Sequence, residues 1–184
     1  MARPGVKRAA ILVIAAIALG LGWGLWQLYG PRLASPASPD LAIQVDRVDH
    51  ILIEKSARRL TASRAGQKVL QYDIALGFDP IGEKSREGDG KTPEGLFTID
   101  RRNPNSSYHL SLGITYPQPN DIRRAAAAGI DPGGDIFIHG QPNALGNLVT
   151  LPGDWTAGCI AISNTEMEQL WRLVDLGTRV EIRP

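Results

Sequence analysis

The feature that most constrains this chain is an uncharged run, Ala9 to Trp26, set behind a basic start of Arg3, Lys7 and Arg8. Its length approaches the roughly 20 apolar residues that a helix needs to cross a bilayer. No polar face interrupts it, which argues against a buried helix of a water-soluble fold. The basic residues before it favour an N-terminus left in the cytoplasm, and Trp23, Trp26 and Tyr29 gather where the far interface would lie. A cleaved signal peptide has an apolar core of only about 7–15 residues and a small-residue cleavage site. Here the run is longer, and Pro36 spoils Ser35-Pro36-Ala37 as a cleavage signal. The expected organisation is a cytoplasmic segment 1–8, a single transmembrane signal anchor 9–29, a Pro/Ser/Ala linker 30–46 and one domain 47–184. Either export reading places that domain outside the cytoplasm.

Residues 1–40 hold four of the 20 basic groups (Arg3, Lys7, Arg8, Arg32) and one of the 19 acidic groups (Asp40). Sixteen basic and eighteen acidic groups remain, so the domain is near neutral. With no basic stripe and no interleaved aromatics, nucleic acid is not an expected partner. The sequence leaves the oligomeric state open.

After the linker the pattern is one of short strands. His50–Lys55, Arg59–Ser63, Lys68–Gly77, Gly95–Ile99, Tyr108–Ile114, Ile136–His139 and Arg179–Ile182 are expected strands. Phe78 to Pro93 is a long Gly/Pro/charged loop. Helices are expected from Asp121 to Ala128, closed by Gly129, and from Ser163, where Ser163 and Glu166 form a capping box. Met167, Leu170, Trp171 and Val174 follow at helical spacing as core contacts. The fold class is therefore mainly β (α+β), with small helices.

The reactive groups lie in Asp154-Trp155-Thr156-Ala157-Gly158-Cys159-Ile160-Ala161-Ile162, which holds the only cysteine. A lone thiol cannot form an internal disulfide and is open to oxidation in an exported protein, so its presence asks for a reason. His139 lies upstream, with sixteen residues between it and Thr156. An imidazole can take the proton of a thiol that is otherwise only a few per cent ionised at neutral pH. Gly158 permits close backbone approach, and the amides around Ala157 to Cys159 are candidate oxyanion donors. These features suit acyl transfer through a thioester. His109 is a second candidate base, and His50 has no evident role. The three histidines show no metal-ligand spacing and there is no HExxH motif, so neither a metal nor another cofactor is expected. A non-catalytic module with a buried structural cysteine stays open on spacing alone.

His139, its spacer and Thr156-Ala157-Gly158-Cys159 resemble the L,D-transpeptidase catalytic domain (YkuD) family, in which a histidine precedes Ser/Thr-His-Gly-Cys. Lys91-Thr92-Pro93-Glu94-Gly95-Leu96-Phe97 matches that family's Lys-Thr-Pro-x-Gly-x-Phe/Tyr stretch, and Asp131 to Gly140 is similar to the segment that delivers its histidine. The resemblance covers roughly residues 48–183. It implies a sandwich-like fold and a peptidoglycan stem peptide as substrate. Cys159 would be the nucleophile, His139 the general base and acid, Gly140 the residue whose carbonyl orients the imidazole, and Gly158 and Cys159 the oxyanion donors. Trp155, Thr156 and Ala157 would face the substrate. The acyl-enzyme would pass to an amine, giving a 3→3 cross-link or attachment to the wall, or to water.

The family's second histidine is Ala157 here, and an arginine common two residues after the cysteine is Ala161. The wall beside the nucleophile is thus smaller and less polar. Thr-x-Gly-Cys-Ile-Ala resembles a subgroup with hydrolytic members, so an L,D-carboxypeptidase or endopeptidase, or a hydrolase releasing wall-attached protein, is the alternative activity. Lys84, Arg86, Lys91, Arg101 and Arg102 are candidates for meeting stem carboxylates or for plain solvated surface.

Overall fold

The computed structural model describes residues 46–184 and a two-residue strand, β1 (Arg32–Leu33). The anchor expected at 9–29 and nearly all of the 30–46 linker lie outside the described residues. Among the described residues no helix is long and apolar enough to cross a membrane.

A meander opens the domain: β2 (His50–Glu54), β3 (Arg59–Arg64) and β4 (Gln67–Asp73). Strict alternation in β2 and β3 turns Ile51, Ile53, Leu60 and Ala62 inward, as a half-buried strand requires. The expected strand at 68–77 stops at Asp73. Beyond it the chain leaves β4 and its backbone pairs with the far end of the fold, Ala75 with Ala161 and Gly77 with Thr156.

A long strand, β5 (Gly95–Ser106), runs well past the Ile99 at which the pattern places its end. It pairs antiparallel with β6 (His109–Ile114), and two register irregularities interrupt the pairing, which loosens the alternation of its second half. Helix α1 (Pro119–Ala128) begins two residues before Asp121. Pro119 suits the first helical position, and the Asp121 carboxylate accepts the Gln118 N–H at 2.9 Å. Gly129 closes α1 at φ 67°, as its position suggests.

Next come β7 (Phe137–His139), β8 (Val149–Thr150), which pairs with β1, and β9 (Ile160–Ala161). Helix α2 (Asn164–Leu173) opens on the Ser163/Glu166 capping box and buries Met167 and Leu170 completely. Burial of two such side chains favours the fold by about 1.5–3 kcal/mol each. Trp171 is only partly buried, and the Arg102 guanidinium lies 4.1 Å above its ring. Strand β10 (Arg179–Arg183) then inserts between β2 and β5, parallel to the first and antiparallel to the second.

The resulting eight-stranded sheet has the order β4-β3-β2-β10-β5-β6-β7-β9. Because the segment after β4 reaches β9, the sheet curls until its two ends meet. Ile51, Ile53, Leu60, Leu112, Ile114, Ile138 and Ile160 fill the interior. This is a mainly β fold with few helices, and the place where its ends meet carries the reactive residues.

Candidate active site

Four neighbouring strands set the site by register. Gly113 of β6 lies between Arg101 of β5 and Phe137 of β7, and Ser111 lies between Asn103 and His139. Strands β7 and β9 pair Ile138 with Ile160 and His139 with Ala161. Cys159, one residue before β9, is therefore level with Phe137. Side chains alternate across a sheet, so Ile138 and Ile160 enter the core while Phe137, Cys159 and His139 share the opposite face. Two rows result, Arg101–Gly113–Phe137–Cys159 and Asn103–Ser111–His139–Ala161. Cys159 and His139 both line one cavity of about 450 Å³, with Asn103, Ser111, Tyr108, Trp155 and Ala157.

The imidazole is buried, and its Nδ1 donates to the Gly140 carbonyl at 2.7 Å. A carbonyl only accepts, so Nδ1 carries the proton and Nε2 is left as the base. Tyr108 lies against one side of the ring at 4.6 Å between centroids, and Trp155 meets it edge-on at 5.7 Å. The Trp155 indole N–H is the one buried side-chain polar atom left unpaired among the described residues. Gly140 must be glycine, because a β-carbon there would fall 2.4 Å from Asn164 Oδ1. That same oxygen accepts the Gln141 N–H at 2.7 Å, so α2 fixes the turn after the histidine.

The sulfur accepts the Phe137 N–H at 3.4 Å and approaches the Asp135 carbonyl at 3.5 Å. Burial pushes the Cys159 thiol above its ordinary value, and the Asp135 charge adds to this, while the Phe137 N–H and Lys84 oppose it. Burial pushes His139 below the usual imidazole range, against the pull of its Gly140 bond. At neutral pH the resting pair is thus a thiol beside a neutral imidazole.

The Thr156 hydroxyl donates to the Cys159 carbonyl at 2.7 Å and accepts the Gly158 N–H at 3.1 Å. Thr156 is buried in the wall of the same cavity, and its hydroxyl braces the nucleophile turn. The Gly158 amide is engaged by that hydroxyl, which leaves the Ala157 and Cys159 N–H groups as candidate oxyanion donors. Ala157 is exposed beside the nucleophile, whereas Ala161 is buried against Ala75.

The Lys-Thr-Pro stretch supports this turn from beneath. Thr92 is fully buried and its Oγ1 accepts the Gly77 N–H at 3.3 Å. Lys55, also buried, donates to the Thr92 and Gly82 carbonyls and to Glu94. Of the cations considered for substrate contact, Lys84 is buried against Asp89 at 2.9 Å, and Lys91 bonds Asp79 at 2.9 Å and the Ile81 carbonyl. Arg102 donates to the Trp171 and Val174 carbonyls at the end of α2. Arg86 is exposed, and Arg101 pairs with Asp135. His109 is no candidate base, because its Nε2 lies 2.9 Å from Glu168 Oε1, away from the cavity. His50 pairs with Glu181.

Sequence reasoning missed Arg58 and Asp154. Arg58 grips the Asp154 carboxylate through Nε and Nη2 at 2.7–3.1 Å, and Asp154 Oδ1 accepts the Leu76 N–H at 2.9 Å. Asp154 precedes Trp155, so the β2–β3 turn anchors the wall beside His139. No periodicity marks such a pair, since the partners lie 96 residues apart.

The L,D-transpeptidase catalytic domain (YkuD) family matches residues 48–182. The Escherichia coli (strain K12) protein YafK is 28% identical over 105 residues, which cover 56% of this chain and 36% of YafK. The helical cell shape determining protein Pgp2 of Campylobacter jejuni superposes with a TM-score of 0.58 at 29% identity, over 75% of this chain and 48% of that one. Bd1075 of Bdellovibrio bacteriovorus gives a TM-score of 0.53 at 25% identity, over 82% and 51%. The chain thus spans about a third of YafK and about half of the other two.

Proposed function

Because the chain belongs to the L,D-transpeptidase catalytic domain (YkuD) family, we propose that it performs cysteine-dependent acyl transfer on peptidoglycan stem peptides. The observation that carries this reading is the shared face of Cys159 and His139 in one cavity, with Nδ1 tied to Gly140 and Nε2 left as the base. The similarity to a cell shape determining protein points the same way.

His139 Nε2 takes the thiol proton as the sulfur attacks the carbonyl carbon of the bond between an L- and a D-centre. The Cys159 N–H stabilises the developing oxyanion. The C–N bond then breaks, and the imidazolium returns its proton to the leaving amine. The thioester is resolved when an acceptor amine of another stem attacks it and gives its proton to His139, which passes that proton to the departing sulfur and restores the thiol. Because both groups rest neutral, proton transfer accompanies attack.

A second reading is hydrolysis, with water as the acceptor. The exposed Ala157 favours it, since a small apolar side chain leaves room for water and offers nothing to hold a second stem. We also place the domain outside the cytoplasm on a single membrane anchor at residues 9–29, on the strength of the basic start and the uncharged run that follows.

The test is to mix the full-length chain with a tetrapeptide stem, quench in acid and weigh the intact protein. An acyl adduct on Cys159 is the expected result. Turnover without any adduct, undiminished in Cys159→Ser, would overturn the mechanism.

A further inference from the structure

Arg101 touches both residues whose backbones hold the nucleophile. Its Nη1 donates to Asp135 Oδ1 at 2.8 Å, and its guanidinium lies 4.8 Å from the centre of the Phe137 ring. Asp135 offers its carbonyl to the Cys159 sulfur, and Phe137 its N–H. Asp135 sits at φ 53°, in the left-handed region, a conformation that needs support from outside the residue. The fold also reserves room for this stack. Gly113 lies between Arg101 and Phe137 in the sheet, and a β-carbon on it would fall 2.9 Å from Arg101 Nε and 3.0 Å from the Phe137 ring.

We propose that Arg101 is a positioning residue for the nucleophile: it fixes Asp135 and Phe137 around the sulfur of Cys159 and neutralises the Asp135 carboxylate. The inference rests on Cys159 being the reactive thiol, as argued above. An ion pair this exposed adds little to stability, so its contribution is to the site and not to the fold.

The charges around the sulfur fix the sign. Asp135 opposes the thiolate, and Lys84, from the 78–93 loop, favours it. Arg101 cancels Asp135 but is shared with Asp100 at 3.2 Å. His139 is uncharged at neutral pH. Without Arg101 the Asp135 carboxylate acts unscreened, and the thiolate becomes harder to form.

Iodoacetamide alkylation of the full-length chain, followed by intact mass from pH 5 to 10, reads this directly, because the chain has one cysteine. Arg101→Ala is expected to slow alkylation at pH 7 by about threefold, the size of one screened charge several ångströms away, and to move the midpoint upward. Arg101→Lys, which keeps the charge, holds the midpoint, and Arg101→Ala with Asp135→Asn returns it toward the wild-type value. In turnover, kcat falls while KM is held. An Arg101→Ala profile superimposable on the wild type, or a double variant as slow as Arg101→Ala alone, would overturn the proposal. The alkylation readout holds whether or not a stem peptide proves to be the substrate.

Discussion

Gly158 stands with its α-carbon against the backbone of Lys91, so close that a β-carbon on it would lie 2.7 Å from the Lys91 carbonyl oxygen. The contact joins the two motifs, Lys-Thr-Pro and Gly-Cys, backbone to backbone. Gly158 is also at φ 137°, where an L side chain is strained. Gly158→Ala is therefore expected to lose about 1–3 kcal/mol of stability through strain alone. It should lose activity further by shifting the turn that carries Cys159. Thermal melting and turnover, measured together, check this, and a variant with wild-type activity would contradict it.

The Arg58–Asp154 pair should matter for rate more than its surface position suggests. Asp154→Ala leaves the Leu76 N–H without its acceptor, a cost of about 1–3 kcal/mol, and frees Trp155 from its anchor. A displacement near 1 Å at a catalytic group can cost about 10²-fold in rate. Arg58→Ala and Asp154→Ala are expected to be non-additive in kcat, which a double-mutant cycle would reveal.

The resting state of the thiol has a pH signature. Burial raises Cys159 and lowers His139, so no thiolate–imidazolium pair forms in the free protein. Alkylation of Cys159 should be slow at pH 7 and rise only toward and beyond the ordinary thiol value of about 8.5. A fast plateau extending down to about pH 5, the mark of a preformed ion pair, would be the opposite result.

The long loop beneath the site has an acid limit. Burial alone would raise the Asp89 carboxyl, but Lys84 Nζ and the N–H groups of Ser85, Arg86 and Lys91 hold it well below the usual carboxylate range. A carboxyl depressed on folding contributes stability that is present above its unfolded value of about 3.9 and disappears as pH falls below it. Stability is thus expected to fall from about pH 4 downward. Asp89→Asn should lower it at pH 7 and flatten that acid limb. Because Lys84 stays buried without its partner, the loss at pH 7 should be about 3–5 kcal/mol, measurable by urea denaturation.

Much of this fold follows from local rules. The β2–β3 meander alternates strictly, and the ends of α1 and α2 carry Gly129 and the Ser163/Glu166 box, so residues near in sequence decide them. The pattern ends β5 early at Ile99 because two register irregularities and a solvated second half hide its period. It carries β4 on to Gly77 because Ile74 to Leu76 are buried where this segment pairs with Thr156 and Ala161, partners some 80 residues distant. In the site, Cys159 and His139 stand out by chemistry alone. The roles of Arg58, Asp154 and Arg101 depend on contacts between distant strands and turns, which composition and spacing do not encode. Lys84 illustrates the reverse error, since a lysine in a polar loop reads as surface until its buried carboxylate is seen.

The most direct test of the account is mass spectrometry of defined peptidoglycan fragments after incubation with the full-length protein and, in parallel, with Cys159→Ala. The account predicts new linked stems with the wild type and none with the variant. Stems only shortened or released, again dependent on Cys159, would make hydrolysis the activity. The same products with and without the Cys159 thiol, or no change in any fragment, would contradict acyl transfer on the wall by this cysteine.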